Sequence, residues 1–354
     1  MTKVMFITSF IRTKGPNNQL MYLLSDFNHD DVLPIVCVLG SREVNENTVA
    51  IESKCKVIYL NYSWGSSLLI APHKLNLLIK KHNIDVVQSF GIRCDIITLL
   101  LSKVKKIVVV RNLTMINWSV KGLLGKIIGY LHLKIIERFD SVIACSAGVQ
   151  EHLLEYGIES FVINNSILLK VDNYEANKTH TKLNNFVTVS TMHPGKNIEF
   201  IIKTFISDPN LKECSLNIIG FVHSELQQKY KKHVNIIFHG YVDNPLQVYA
   251  SNDCFISASL HEGLPNAVLE ALSVCCPVIL SDITSHKVIV EGYNDIGRIF
   301  SNNSQSSLAA AIKEQKRMLD LVNNVRFFEL LDKRFSPKYM TKNYVTQYKV
   351  ITDV

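Results

Sequence analysis

Two glutamates in one short segment have the spacing to bind a single ligand. The segment 259–282 reads SLHEGLPNAVLEALSVCCPVILSD, and Glu262 and Glu270 stand in it with seven residues between them. An apolar run at 254–258 precedes the first glutamate, and Gly263-Leu264-Pro265 can continue neither a strand nor a helix. We therefore expect Glu262 on a loop after a strand and Glu270 a turn inside the next helix.

The helix after this turn is predicted over Ala267–Cys275, with Asn266 as its N-cap. Open α/β sheets bind ligands beyond the carboxyl ends of their strands. A helix N-terminus at that place offers free amide groups and the positive end of a dipole, which suits a phosphate. A sugar joined to a diphosphate would fit, with Glu262 accepting hydrogen bonds from sugar hydroxyls and Glu270 from a ribose.

A lysine near the middle of the chain also lies on a loop between a predicted strand and a predicted helix. Lys196 lies in the loop sequence TMHPGKN at 191–197, between the predicted strand 186–189 and an amphipathic helix at 198–205. A compact ammonium group there could neutralise a diphosphate. An ordinary surface lysine is the alternative. His193, in the same loop, fits a plain polar loop residue better than a ligand contact.

Short apolar runs alternate with helical patterns along the whole chain, which predicts repeated βαβ units. The strands are predicted at 4–7, 32–38, 57–59, 86–89, 107–110, 141–144 and 161–163, and then at 186–189, 215–219, 236–238, 253–257, 277–280 and 297–300. Two such series predict two doubly wound parallel-sheet domains. The predicted domains are 1–167 and 186–335, with a polar linker at 168–185 and a C-terminal helix in 336–354.

The segment 259–282 resembles the donor-site signature of the retaining nucleotide-sugar glycosyltransferases of family 4. Further stretches are similar to the same family in the expected order, namely 186–197, 216–220, 236–242 and 335–348. The resemblance implies an α/β GT-B fold, in which two doubly wound domains flank a cleft and a C-terminal helix crosses back. In that fold the N-terminal domain is the acceptor side and the second domain holds the donor.

The resemblance also implies roles for individual residues. The implied catalytic residues are Glu262, Lys196 and Arg111. The implied donor-binding residues are Glu270, Gly263, Leu264, Asn266, Ala267, Gly15, Gly220 and Val242. The implied reaction is front-face transfer from a nucleotide diphosphate sugar with retention, in which the leaving phosphate helps to take the acceptor proton. No cofactor is implied, and no metal is required, since the sequence contains no D-x-D motif.

The sequence departs from the family pattern at several positions. Many members have an arginine in the region of Thr191, so one cation of the usual pair is missing here. Gly220 lacks the second glycine that is common after it, and Gly15 stands where a Gly-Gly loop is usual. Many relatives have an acceptor-side catalytic histidine near the segment that corresponds to 87–91, but this segment contains none. Arg111 follows a strand and is expected to serve the cleft, or else to pair with a nearby carboxylate.

Charge is concentrated in the first half of the chain. Residues 1–165 contain 18 Lys and Arg against 13 Asp and Glu, and no acidic residue occurs from 96 to 136. Lysines and apolar residues alternate around Trp118 in that stretch, as expected of a surface that lies on anionic lipid. A solvated face of an ordinary amphipathic helix is the alternative. Nucleic acid is a poorer explanation, because no reader motif accompanies the charge.

Composition indicates a reduced, cytoplasmic protein. The eight cysteines are scattered without a C-x-x-C pair, and neither a signal peptide nor an apolar stretch of about 20 residues is evident. We expect a glycosyltransferase of bacterial surface polysaccharide (O-antigen or capsule) assembly, peripheral on the inner face of the membrane, that extends a lipid-linked oligosaccharide. A sugar-nucleotide epimerase of the same fold and a non-catalytic nucleotide- or lipid-binding subunit are the alternatives. The epimerase should carry more acid/base groups at the strand ends of the first domain.

Overall fold

The computed structural model describes residues 1–12, 15–168, 183–318 and 324–353. The chain divides into two compact units, one formed by 1–166 together with 335–354 and the other by 167–334. The predicted linker 168–185 falls mostly on 169–182, which lies outside the described residues. Each unit is therefore described by itself.

The first unit is built on a parallel sheet that has seven strands in its described part. Its strands are β1 (Thr2–Thr8), β2 (Val32–Val38), β3 (Lys56–Tyr59), β4 (Val86–Ser89), β5 (Lys105–Val110), β6 (Ser141–Ala144) and β7 (Phe161–Val162). Its helices are α1 (Gly15–Asp26), α2 (Glu46–Glu52), α3 (Trp64–His82), α4 (Ile92–Leu99), α5 (Thr114–Ser119), α6 (Gly122–Ile136) and α7 (Ala147–Leu154). The strand order β3-β2-β1-β4-β5-β6-β7 is doubly wound, with its switch point between β1 and β4.

The second unit repeats this plan with six parallel strands among its described residues. The strands are β8 (Asn185–Thr191), β9 (Ser215–Phe221), β10 (Ile236–Gly240), β11 (Cys254–Ser257), β12 (Val278–Ser281) and β13 (Gly297–Phe300). The helices are α8 (Ile198–Ser207), α9 (Ser224–Tyr230), α10 (Pro245–Ser251), α11 (Asn266–Ser273), α12 (Thr284–Val290), α13 (Gln305–Arg317) and α14 (Asn324–Phe335). The order β10-β9-β8-β11-β12-β13 places the switch point between β8 and β11.

Continuous apolar strands account for these two-sided sheets. Val4, Met5, Phe6 and Ile7 of β1 are all fully buried. Val4 and Phe6 pack in a core with α1 and its neighbours, whereas Met5 and Ile7 pack in a separate core with α3 and α4. Because successive side chains of a strand point to opposite faces, an unbroken apolar run requires helices on both sides of the sheet.

All thirteen predicted strands are confirmed, but the helix after Glu262 differs from the prediction at both ends. Asn266 is the first residue of α11 and does not cap it; Pro265 is the N-cap and makes no side-chain cap hydrogen bond. Pro265 has an extended backbone, with φ of −78° and ψ of 91°, as an N-cap residue typically does. The helix ends at Ser273, before Cys275, whose φ of +57° is left-handed and cannot continue it.

The last helix of the chain belongs to the first unit. Helix α15 (Pro337–Thr352) packs on α1 and β1, and Tyr348 is fully buried there. Its hydroxyl donates a 2.6 Å hydrogen bond to Oε1 of Gln88, a buried residue of β4. The first unit is thus completed by residues from the far end of the sequence.

Candidate active site

The switch point of the second sheet brings a cation and a carboxylate together. Lys196 lies in the loop after β8 and Glu262 in the loop after β11, the two strands between which the strand order reverses. Nζ of Lys196 and Oε1 of Glu262 are 2.5 Å apart. The sequence placed both residues at strand ends, but it could not show that they form an ion pair.

The environment of Glu262 keeps its carboxylate ionised. Burial raises the pKa of Glu262, but the charge of Lys196, with hydrogen bonds from Lys196 and from Ser259 Oγ at 2.8 Å, outweighs burial and holds the pKa below its usual value of 4.5. An ionised carboxylate only accepts hydrogen bonds. Glu262 is therefore suited to bind hydroxyl groups and is a poor proton donor.

The loop that carries Lys196 is held by the loop that carries Glu262. The Leu260 amide donates a 2.8 Å hydrogen bond to the Gly195 carbonyl, and the Gly195 amide donates to Nδ1 of His193 at 3.0 Å. The rings of His193 and His261 meet edge to face, with centroids 5.6 Å apart. A Cβ atom on residue 195 would overlap the His261 ring, so the close approach of the two loops requires glycine there.

A buried polar network supports the Glu262 loop from behind. Ser281 Oγ donates to the Ser259 carbonyl at 2.6 Å and contacts Nδ1 of His286 at 2.9 Å. Ser285 Oγ donates to the Glu262 carbonyl at 2.8 Å. Burial lowers the pKa of fully buried His286 from 6.5 to about 4, against the opposing charge of Glu262. Neutral His286 therefore stabilises the backbone that presents Ser259 and Glu262.

Arg111 lies in the first unit and lines a cavity of about 350 Å³. It follows β5 directly, and its guanidinium lies 4.6 Å from the centre of the Phe90 ring. Thr8, Phe90 and Gly91, at the ends of β1 and β4, also line the cavity, which therefore occupies the switch point of the first sheet. Burial lowers the pKa of Arg111. The ordinary pKa of arginine is so high that the guanidinium nevertheless stays charged.

The same cavity has an acid/base pair that sequence reasoning missed. Asp95, which is buried, accepts hydrogen bonds from Ser89 Oγ at 2.6 Å and lies 2.8 Å from Nε2 of His132. Both Asp95 and His132 line the cavity. The sequence argument considered strand ends, whereas Asp95 comes from the first turn of α4 and His132 from the last turns of α6. Only the packing of α4 against α6 brings them together.

Comparison with known proteins assigns one family model to each half of the chain. The family model described as Glycosyl transferases group 1 matches residues 184–315, and the model described as Glycosyltransferase Family 4 matches residues 15–170. An uncharacterized glycosyltransferase of Methanocaldococcus jannaschii is 25% identical over 324 residues, which cover 77% of this chain and 79% of the relative. The chain is a glycosyltransferase of the GT-B fold.

A solved structure resembles the whole chain in fold, and a further relative resembles part of its sequence. The structure of Anabaena Alr3699/HepE in complex with UDP and glucose has a TM-score of 0.73 at 15% identity and covers 98% of this glycosyltransferase and 99% of that chain. An Escherichia coli UDP-Gal:alpha-D-GlcNAc-diphosphoundecaprenol alpha-1,3-galactosyltransferase is 28% identical over 137 residues, 36% of this chain and 35% of the relative. The first likeness shows the fold alone.

The other predicted donor-binding residues of the glycosyltransferase lie at the same end of the second sheet. Gly263, Leu264, Asn266 and Ala267 form the loop and first turn of α11, and Glu270 lies further along that helix. Pro265 at the N-cap offers no side-chain acceptor to the first amide groups of α11, which can therefore face a ligand. The Glu270 carboxylate adds to burial in raising the pKa of Tyr249, a buried residue of α10.

The remaining three predicted donor contacts, Gly220, Val242 and Gly15, lie in different parts of the structure. Gly220 lies inside β9 with φ of +91°, and a Cβ there would overlap the Ser190 carbonyl, so the structure gives this glycine a backbone role. Val242 is partly buried just after β10. Gly15 is the first residue of α1 in the first unit. Contact of these residues with a donor stays a prediction.

Proposed function

We propose that this glycosyltransferase transfers a sugar from a nucleotide diphosphate sugar, with retention at the anomeric carbon, to a lipid-linked oligosaccharide acceptor. The pathway proposed is assembly of a bacterial surface polysaccharide on the cytoplasmic side of the membrane. The single observation that carries the donor part of this proposal is the Lys196–Glu262 pair at the switch point of the second sheet.

The pair fits a donor that carries both hydroxyl groups and negative charge. A diphosphate would compete with Glu262 for the Lys196 ammonium group. Once Lys196 contacts the diphosphate, the Glu262 carboxylate keeps Ser259 as one hydrogen-bond donor and gains sugar hydroxyls as others. The uncapped start of α11 supplies amide groups to the same charge. The complex of HepE with UDP and glucose is consistent with this class of donor.

The state of Glu262 argues against a role as proton donor. Hydrolases that act on glycosidic bonds use one protonated and one ionised carboxyl group on either side of the bond. The pKa of Glu262 is held below its usual value, so Glu262 is not the protonated member of such a pair. We assign Glu262 to donor binding, while the departing phosphate takes the acceptor proton and Lys196 stabilises the developing charge.

The acceptor is assigned to the first unit. Its switch-point cavity combines aromatic walls with Arg111 and the Asp95–His132 pair, a mixture that suits a sugar close to a charged group. The Escherichia coli relative is named for an acceptor sugar on diphosphoundecaprenol, which supports a lipid-linked acceptor of the same class here. The protein itself would require no metal, because Lys196 provides the cation for the leaving group.

The decisive experiment incubates the purified protein with radiolabelled UDP-, GDP- and TDP-sugars, with and without lipid-linked oligosaccharide. Transfer that depends on acceptor and persists in a metal chelator supports the proposal, and nuclear magnetic resonance of the product gives its anomeric configuration. Release or isomerisation without acceptor would instead identify an epimerase. Binding without turnover would identify a non-catalytic subunit, which is the role that the missing arginine near Thr191 leaves open.

A further inference from the structure

Helix α6 carries an apolar face that its own unit does not cover. Large apolar side chains at or beside this helix are exposed, namely Val120, Leu123, Leu124, Ile127, Tyr130 and Leu131. Leu123 and Leu124 expose 77% and 69% of their surface. Positions 123, 127 and 131 follow each other at the i, i+4 spacing of one helix face. A surface helix of a globular protein normally packs such a face against the core.

Close packing on the other side keeps this face outward. Gly125 and Gly129 of α6 are buried against α5, and a Cβ at residue 125 would overlap the Trp118 carbonyl. A Cβ at residue 129 would approach Met115 and Trp118 to 3.0 Å. Rotation of α6 about its axis would break these contacts and the hydrogen bond between His132 and Asp95. The exposed residues are therefore a fixed feature of the surface.

Positive charge surrounds the apolar face. Lys121, Lys126 and Lys134 are exposed on or next to α6. The sequence contains no acidic residue from 96 to 136. The first acid after this stretch, Glu137, pairs with Lys134 at 2.8 Å. Apolar side chains bordered by lysines are complementary to a surface with an apolar interior and negatively charged head groups.

We infer that the α6 face, defined as Val120, Leu123, Leu124, Ile127, Tyr130 and Leu131 with the lysines 121 and 126, docks on an anionic lipid bilayer. Lysine is depleted from interfaces between proteins, which disfavours a second copy of the chain as the occupant. The helix has 15 residues and is about 22 Å long, too short to cross a hydrocarbon core of about 30 Å, so it lies in the interface. In the described part of the chain, no helix is long and apolar enough to span a membrane.

Docking through α6 would also orient the first unit toward its acceptor. His132 and Ile136 of α6 line the switch-point cavity, so the helix that contacts lipid forms part of the cavity wall. A lipid-linked sugar held at the bilayer surface would then lie near Arg111. This last step depends on the proposed function, whereas the docking itself does not.

The test is sedimentation of the full-length protein with vesicles of phosphatidylcholine alone and of phosphatidylcholine mixed with phosphatidylglycerol. We expect binding to the mixed vesicles, weakened by high salt because exposed charges are then screened. Leu124→Glu and Ile127→Glu should each reduce vesicle binding about tenfold, since each removes an apolar side chain from the bilayer and adds a repelled charge. Lys121→Gln with Lys126→Gln should weaken binding only to the anionic vesicles.

The matched control is Val49→Glu, which places the same charge on α2, another helix of the first unit. Val49 is 57% exposed, much like Leu131 at 56%, and it lies on a helix that packs in the core with α1. The control should bind vesicles as the wild-type protein does. Circular dichroism and thermal unfolding check that the variants remain folded.

Three results would overturn the inference. They are no binding to anionic vesicles, equal binding by the α6 variants and the wild type, and a dimer in solution that Leu124→Glu dissociates. Failure of the proposed function is recognised separately, because vesicle binding requires no donor and no turnover.

Discussion

Lys196 is the residue whose removal should affect catalysis most directly. Lys196→Ala removes the cation proposed to serve the leaving group and leaves the Glu262 carboxylate without its charge partner. We expect turnover to fall about 10²- to 10³-fold, as when one preorganised donor to a developing charge is lost. Steady-state kinetics with a donor that gives transfer would measure this. Lys203→Ala, on the exposed face of α8, should leave turnover unchanged.

A loss confined to the Michaelis constant for the donor would contradict the catalytic part of this role. It would show that Lys196 binds the ground state and the transition state equally. Lys196→Arg keeps the charge but not the compact geometry, and it should recover only part of the rate.

His286 should make the second unit sensitive to mild acid. Its pKa is lowered from 6.5 to about 4 in the folded protein, so between these values the unfolded chain binds a proton that the folded chain does not. Stability from neutral His286 is complete above 6.5 and is lost as the pH falls toward 4. The full contribution is about 3 kcal/mol. The contribution of Glu262, whose pKa is lowered from 4.5, is lost only below pH 4.5.

Thermal unfolding of the wild type and of His286→Asn at several pH values would check this. The amide of asparagine can replace Nδ1 as a partner of Ser281 but does not titrate. We expect the melting temperature of the variant to fall less steeply below pH 6.5 than that of the wild type. Parallel curves for the two proteins would show that His286 does not determine the acid sensitivity.

At the scale of elements, Gly220 occupies a strand position whose backbone conformation requires glycine. Gly220→Ala would place a Cβ against the Ser190 carbonyl of the neighbouring strand at a φ of +91°. Such a conformation costs about 1–3 kcal/mol for a residue other than glycine, and the overlap adds to it. We expect a clear fall in the midpoint of denaturant unfolding. Gly65→Ala, in a helix with open space around it, should be neutral or slightly stabilising.

The elements could be predicted from the sequence far better than the contacts of the site. Every described strand was predicted because unbroken apolar runs between turn residues have few other structural interpretations. Lys196 and Glu262 were placed at strand ends for the same reason. The Asp95–His132 pair was missed because two helices supply it, and no local pattern shows which faces of two helices will meet.

Local sequence signals also gave the wrong N-cap for α11. Asparagine is a favoured N-cap, so Asn266 was the natural choice from the sequence. The structure begins the helix at Asn266 because Pro265 already occupies the entry position. A one-residue shift of this kind changes which amide groups lie at the helix start, although it leaves the fold unchanged.

At the scale of the whole molecule, the first unit depends on the last helix of the chain. Met340, Tyr344, Tyr348 and Ile351 of α15 are buried in its core. Tyr348→Ala would remove a fully buried ring and leave Gln88 without its hydrogen bond. We expect a loss of about 3–5 kcal/mol in the stability of the first unit. Val350→Ala, which truncates a half-exposed side chain of the same helix, should cost little.

Hydrogen exchange read separately for the two units would test this dependence. Amide protection should fall in strands β1 and β4, which contact the α15 core, because their opening free energy reflects the stability of that unit. The strands β8 and β11 should keep their protection, since the second unit is formed by 167–334 and contains none of α15. Equal loss of protection in both sheets would show instead that the two units unfold together, so that the C-terminal helix stabilises the whole chain and not the first unit alone.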